Sequence, residues 1–187
     1  HLTDRFGNSW TDTVTIPVQS STSTVAYADD FELYDFSSYG TDGNDNGIAN
    51  PGETLRMDLL IQHTDSDSAN PSVARDVTGY ITTGTTGVTI LEGGNSASPL
   101  TFDGAIPAGH YDSFGDGTPE STSSTVSLIP ASSSGRFQFS IAQDFDPAAE
   151  DAVFTLHLAD RFGNSWTDTV TIPVSASTST VSFANAY

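Results

Sequence analysis

The chain has no cysteine, no lysine, one methionine and four histidines among 187 residues. Without cysteine there is no disulfide, no thiolate nucleophile and no thiolate metal site, and the redox compartment stays open. Without lysine there is no Schiff base. His1, His63, His110 and His157 are isolated, and neither H-E-x-x-H nor G-x-S-x-G occurs. Carboxylate pairs are plentiful, so their spacing alone does not exclude glycoside hydrolysis. The balance of absences argues against an enzyme. Basic residues are scarce as well: five arginines stand against 24 acids, for a formal charge of −19. Such a chain repels nucleic-acid phosphates and anionic membranes, and divalent cations suit it better as partners. No apolar run approaches the length of a membrane-spanning helix. Apolar residues at 36% and aromatics at 10% still suffice for a packed core.

What is present is a period. Residues 1–31 and 157–187 align at an offset of 156 with 23 identities in 31 positions. Nothing between them resembles either copy. The expectation is a tandem array with a 156-residue unit; a single protein with a duplicated hairpin is the alternative. The small-hydroxyl stretch PVQSSTSTVAYADD follows the strand-like WTDTVTIPV and reads as a strand running into a linker. The expected organisation is a terminal hairpin of the preceding repeat at 1–18, a linker at 19–24, a complete domain at 25–174, and a linker with the next first strand at 175–187. Adjacent identical repeats, in the same or a neighbouring chain, are the expected partners. The terminal hairpin, or the linker strand STVAYADDF, is expected to complete the sandwich of a neighbour.

Strand signals dominate. Val170, Ile172 and Val174 alternate with polar neighbours, as do Phe154, Leu156 and Leu158, and Phe137, Phe139 and Ile141. Leu55, Met57, Leu59 and Ile61 share one face, with Arg56, Asp58, Leu60 and Gln62 opposite. A helix over 53–63 also fits period 3.6, but the neighbours favour strand. Further strands are expected at 77–84, 87–93 and 124–130. DRFGN at 160–164 reads as a hairpin turn, with Gly163-Asn164 suited to positive φ. Seven or more short strands with Gly, Pro and Ser turns predict an all-β fold, an Ig-like antiparallel β-sandwich.

The most specific motif is DGNDNGIANPGE at 42–53. It satisfies D-x-[DN]-x-[DN]-G-x₅-E with Asp42, Asn44, Asn46, Gly47 and Glu53. Ca2+ takes six to eight hard oxygens, which side chains at alternate loop positions and a closing glutamate supply. Ile48 is the expected backbone ligand, and Asp45 stays outside the shell or replaces a neighbour. Pro51 and the stripe after it predict a strand rather than a flanking helix, so the loop joins two strands. A solvated acidic turn is the plain alternative.

The stretch DGNDNGIANPGETLRMDLLIQHTDSDSANPSVARDVTGYI resembles the N-D-G-x-x-x-P-G-E-T opening of bacterial Ig-like β-sandwich repeats, and HLADRFGNSWTDTVTIPV resembles their closing hairpin. The resemblance implies a calcium-stabilised repeat of a secreted or cell-surface adhesin, stalk or filament. The chain departs from the pattern at HTDSDSANP and at 93–123, which reads as an insertion.

Weaker signals remain. Asp112, Asp116 and Glu120 in a Gly-rich loop read as a second Ca2+ site or as a solvated loop. Asp144, Asp146, Glu150 and Asp151, and Asp65 with Asp67, read more simply as turns. Trp166 and its copy Trp10 read as a core plug or as a sugar-stacking platform. A carbohydrate- or ligand-binding module of a secreted protein is therefore the alternative function, with His110-Tyr111 as a further contact point.

Overall fold

A computed structural model describes residues 2–15, 23–36, 41–64, 73–102, 105–107, 111–113 and 136–176. All regular structure among them is β. A short hairpin comes first, from β1 (Leu2–Thr3) and β2 (Ser9–Trp10). The sandwich follows: β3 (Val25–Tyr34), β4 (Thr54–His63), β5 (Val73–Arg75), β6 (Thr78–Thr83), β7 (Val88–Glu92), β8 (Leu100–Thr101), β9 (Ala105–Pro107), β10 (Tyr111–Ser113), β11 (Phe137–Ile141), β12 (Ala152–Ala159) and β13 (Ser165–Ile172).

One antiparallel sheet is built on β4, which pairs with β3 on one side and with β10 and β11 on the other; β7 lies outside β11. The second runs β13-β12-β6-β8. A small pair, β5 with β9, lies beside them. The two sheets pack face to face. The expected stripes supply the interior: Leu55, Met57, Leu59 and Ile61 of β4, Phe137, Phe139 and Ile141 of β11, Phe154, Leu156 and Leu158 of β12, and Val170 and Ile172 of β13 are all buried. Phe139 meets Phe154 across the layers, ring centroids 4.9 Å apart at 62°. The β-sandwich expected from the alternation is the fold observed.

Two further features matter. The reverse face of β4 is covered as well: Asp58 and Leu60 are buried. Arg136 places Nε 3.0 Å from Asp58 Oδ1 and its guanidinium 4.0 Å from the Tyr34 ring centroid, so an ion pair and an aromatic ring cover that face. The linker strand also belongs to its own sandwich. Val25, Ala26 and Tyr27 pair with His63, Gln62 and Ile61, and after an irregularity near Asp29 (φ +56°) Phe31–Tyr34 pair with Leu59–Arg56. Its own β4 therefore already holds STVAYADDF, which weakens it as a donor to a neighbour. The strand expected at 124–130 lies outside the described residues.

The two copies of the repeated segment form the same hairpin. In each, the aspartate's Oδ1 accepts from the N–H groups two and four residues on: Phe6 and Asn8 onto Asp4, Phe162 and Asn164 onto Asp160. The asparagine amide donates to Oδ2 of the same aspartate. A glycine in the left-handed region closes each turn, Gly7 at φ +85° and Gly163 at φ +88°. The register is shared too, Leu2 opposite Trp10 and Leu158 opposite Trp166.

β3 begins alongside β13. The Ser23 hydroxyl donates to Asp160 Oδ2 at 3.3 Å, and Tyr27 N–H donates to Asp168 Oδ2 at 3.0 Å. The Asn164 amide reaches Ser23 Oγ at 3.5 Å. Residues 23–27 thus run beside 164–168 in the same direction. The chain comes into the sandwich at the turn of the second hairpin. It goes out past β13 at the opposite end, where Val174 forms a parallel bridge with Ala49.

Candidate functional site

The 42–53 motif is the connection from β3 to β4, as the proline and the following stripe predicted. It sits at the outgoing end. Two buried residues outside the predicted ligand set organise it. Asp35, directly after β3, is 2% exposed, and its Oδ2 accepts from Asn46 N–H at 2.7 Å and Gly47 N–H at 3.0 Å. Asn50 is buried at the far side of the loop. Its Oδ1 accepts from the side-chain amides of Asn44 (2.7 Å) and Asn46 (3.0 Å), and its own amide donates to the Ser175 carbonyl at 2.7 Å. Backbone bonds reinforce the tie, Ser175 N–H to Ala49 O at 2.9 Å and Gly52 N–H to Ile141 O at 3.0 Å.

Sharp local geometry makes this compact. Asp45 (φ +60°) and Gly47 (φ +70°) both turn through the left-handed region, which Asp tolerates better than most residues. Gly43 lies so close to Asp35 that any Cβ there would collide with the Asp35 carbonyl oxygen.

The predicted residues divide accordingly. Glu53 is 6% exposed and accepts from Asn50 N–H through Oε2 at 2.9 Å. Asn44 and Asn46 converge on Asn50. Asp42 and Asp45 are exposed, and Ile48, also exposed, donates its N–H to Asn46 Oδ1 at 2.7 Å. Of the weaker set, Asp112 falls on β10 opposite Ile61. Asp116 and Glu120 lie outside the described residues. Asn50 was visible in the motif as the residue before Pro51. Asp35 sits well outside the pattern, and only the fold brings it in.

Burial pushes the Glu53 carboxyl above its ordinary range. The Asn50 N–H opposes this, the Asp35 carboxylate adds to it, and the Asn44 N–H opposes it. Among the described residues no arginine is paired with Asp35 or Glu53; the ion pairs are Arg56 with Glu92, Arg136 with Asp58 and Arg161 with Asp76. Nor do three or more acidic or histidine side chains converge among the described residues. The loop instead gathers two buried carboxylates and three asparagine amides. This is an all-oxygen donor set once the amides turn their oxygens inward, and it fits a hard cation such as Ca2+ better than a transition metal.

A second feature lies on the β6–β12–β13 sheet. Tyr80 and His157 stack with centroids 4.4 Å apart and planes at 7°, and His157 Nε2 lies 3.0 Å from Thr82 Oγ1. They line a shallow groove of about 350 Å³ together with Pro99 and Trp166. Trp166 itself is half-buried and packs against the core, the plug arrangement.

No family model, curated protein or solved structure matches the chain.

Proposed function

We propose that this chain is a structural unit of an extended extracellular array, an adhesin, stalk or surface filament, with Ca2+ held in the 42–53 loop. The unit gives reach and rigidity rather than chemistry. The observation that carries this reading is the path of the chain. It comes in beside Asp160 and leaves beside Ala49, at opposite ends of β13. At about 3.3 Å per residue, the ten residues from Asn164 to Val174 separate the two ends by roughly 30 Å. Units joined this way follow one another end to end, and the 156-residue period supplies the next one.

The loop gives the rod its stiffening point. Asn50 grips the outgoing strand at Ser175, and Asn50 is held by Glu53, Asn44 and Asn46. Asp35, Glu53, Asn44, Asn46, Asn50 and the Ile48 carbonyl would hold the ion, with Asp42 and Asp45 at its margin. The ion supplies the positive charge that the two buried carboxylates lack.

The test is thermal unfolding of the chain with excess Ca2+ and with chelator. A reversible rise in Tm, lost in Glu53→Gln and Asp35→Asn, supports the reading. Equal Tm in both conditions would reduce the loop to a hydrogen-bonded clasp and sink the metal.

The Tyr80–His157–Trp166 groove favours one second reading, a carbohydrate-binding module. Glycan binding lost in Trp166→Ala and Tyr80→Ala, with Tm kept, would establish it.

A further inference from the structure

Charge is laid out unevenly along the sandwich. Of its four arginines, Arg56 and Arg136 keep side chains only 13% and 3% exposed, each beside a carboxylate. The two that reach solvent, Arg75 and Arg161, lie together at the incoming end, where Arg161 N–H donates to the Arg75 carbonyl at 3.1 Å. Asp76 lies 3.4 Å from Arg161 and answers one of the two charges. Phe162, beside Arg161 at the tip of the turn, is 52% exposed. The opposite end is acidic. Asp42 and Asp45 of the loop are exposed, and so are Asp144, Asp146 and Glu150 between β11 and β12. That connection sits at the outgoing end because Gly52 N–H donates to Ile141 O and Val174 N–H to Asp151 Oδ1. Among the described residues no exposed arginine lies at this end, and the loop presents Ile48 to solvent.

The period brings these two ends together. Ser175 is clasped at the outgoing end by Asn50 and Ala49, and Ser23 is bonded to Asp160 at the incoming end. At the 156-residue offset the counterpart of Ser23 is Ser179, four residues after Ser175. Four residues of chain span at most about 14 Å. An array built on this period therefore holds the acidic end of one unit next to the DRFGN turn of the following one. We propose that the two ends form a specific joint, in which Arg75 and Arg161 of one unit pair with the exposed carboxylates of 42–45 and 144–150 on the unit before it, around Ile48 and Phe162. This rests on reading the period as a tandem array. The partner is a second copy of the same sandwich, recognised by opposite charge at its two ends. Each end meets the other kind of end, so the contact repeats from unit to unit. Units this acidic repel one another as wholes. The two arginines put the attractive charge where the linker holds the units together, which fixes their mutual orientation and makes the joint sensitive to salt.

The test uses a chain of two successive units, this sequence lengthened by one further 156-residue period. Cysteine is absent, so Thr169→Cys in each unit carries a spin label at an exposed strand position, and pulsed electron resonance reads the distance between the labels. The expected result at low salt is one narrow distance distribution. It broadens at high salt, and it broadens when the second unit carries Arg75→Glu and Arg161→Glu. Asp144→Arg and Glu150→Arg in the first unit, outside the 42–53 loop, then restore the narrow distribution. Should the glutamate variants lower the Tm of the single chain, Arg75→Gln and Arg161→Gln take their place with the same expected broadening. A broad distribution in the unaltered two-unit chain, or a narrow one indifferent to charge reversal, overturns the joint. The array reading is judged separately. If both units melt as the single chain does while the labels range widely, the array stands as a loosely jointed string and only the joint is lost. If the second period does not fold, the array reading falls and the joint falls with it.

Discussion

The side-chain amide of Asn50 donates to the carbonyl of Ser175 at 2.7 Å, joining residues 125 positions apart. The same side chain accepts from two asparagines, and its backbone answers Glu53. Asn50→Ala removes three side-chain hydrogen bonds at a buried position and leaves the Ser175 carbonyl without this donor. A buried group left unsatisfied costs about 1–3 kcal/mol. The expected result in urea is a lower midpoint with an unchanged m-value. Asn50→Asp restores an acceptor but adds a third carboxylate. It should be worse than alanine in chelator and should recover with Ca2+. Equal behaviour of the two variants in both conditions would remove Asn50 from the ion's surroundings.

Binding to the folded state alone stabilises by about 2.7 kcal/mol at a hundredfold excess over Kd. For a domain of this size that corresponds to a Tm rise of about 5–10 °C. Glu53→Gln and Asp35→Asn should abolish the rise. Asp42→Ala, at an exposed position, should only reduce it. Scanning calorimetry against Ca2+ concentration gives the ranking. A larger loss from Asp42→Ala than from Asp35→Asn would restore the ligand set expected from the motif alone.

The fold was legible because burial has period two in these strands. Phe154, Leu156 and Leu158 declare their face without help. The DRFGN turn was legible because Asp160, Gly163 and Asn164 act within five residues. Legibility fails where the partner is distant in sequence. Asp35 joins the loop through its approach to Gly43 and its bonds to Asn46 and Gly47, none of which a linear pattern encodes. The reverse face of β4 is likewise covered by Tyr34 of β3 and by Arg136 just before β11, contacts that no linear pattern encodes. STVAYADDF read as a linker strand open to a neighbour because nothing in its small and acidic residues shows that it pairs with its own β4, interrupted at Asp29.

The repeated hairpin supplies an internal control for the worth of burial. Leu158→Ala empties a packed site and should cost about 2–5 kcal/mol. Leu2→Ala makes the same chemical change in the same local sequence, in solvent, and should cost under about 0.5 kcal/mol in dilute solution. Urea denaturation of the two variants side by side measures the difference. Comparable losses at micromolar concentration would mean that the first hairpin is already seated.

Acid should stabilise this protein before it denatures it. Burial is the main reason that the Asp58 carboxyl is pushed up to about 6; the Arg136 guanidinium and a hydrogen bond from Tyr34 pull it back, and Glu32 adds to the rise. Its ordinary value is 3.8. A carboxyl whose value is raised by folding binds its proton more tightly in the folded state. Its stabilising contribution is therefore complete below about pH 4 and is lost as the pH climbs through 6. The gap between the two values corresponds to a contribution of order 3 kcal/mol. Glu53, also raised, acts in the same direction, and so does relief of the chain's net negative charge. Stability measured in chelator should climb as the pH is lowered from 7 towards 5. Asp58→Asn separates the local cause from the global one. It is isosteric with the protonated acid and does not titrate, so the slope between pH 7 and 5 should become shallower. An unchanged slope in Asp58→Asn would assign the pH response to Glu53 and the overall charge instead.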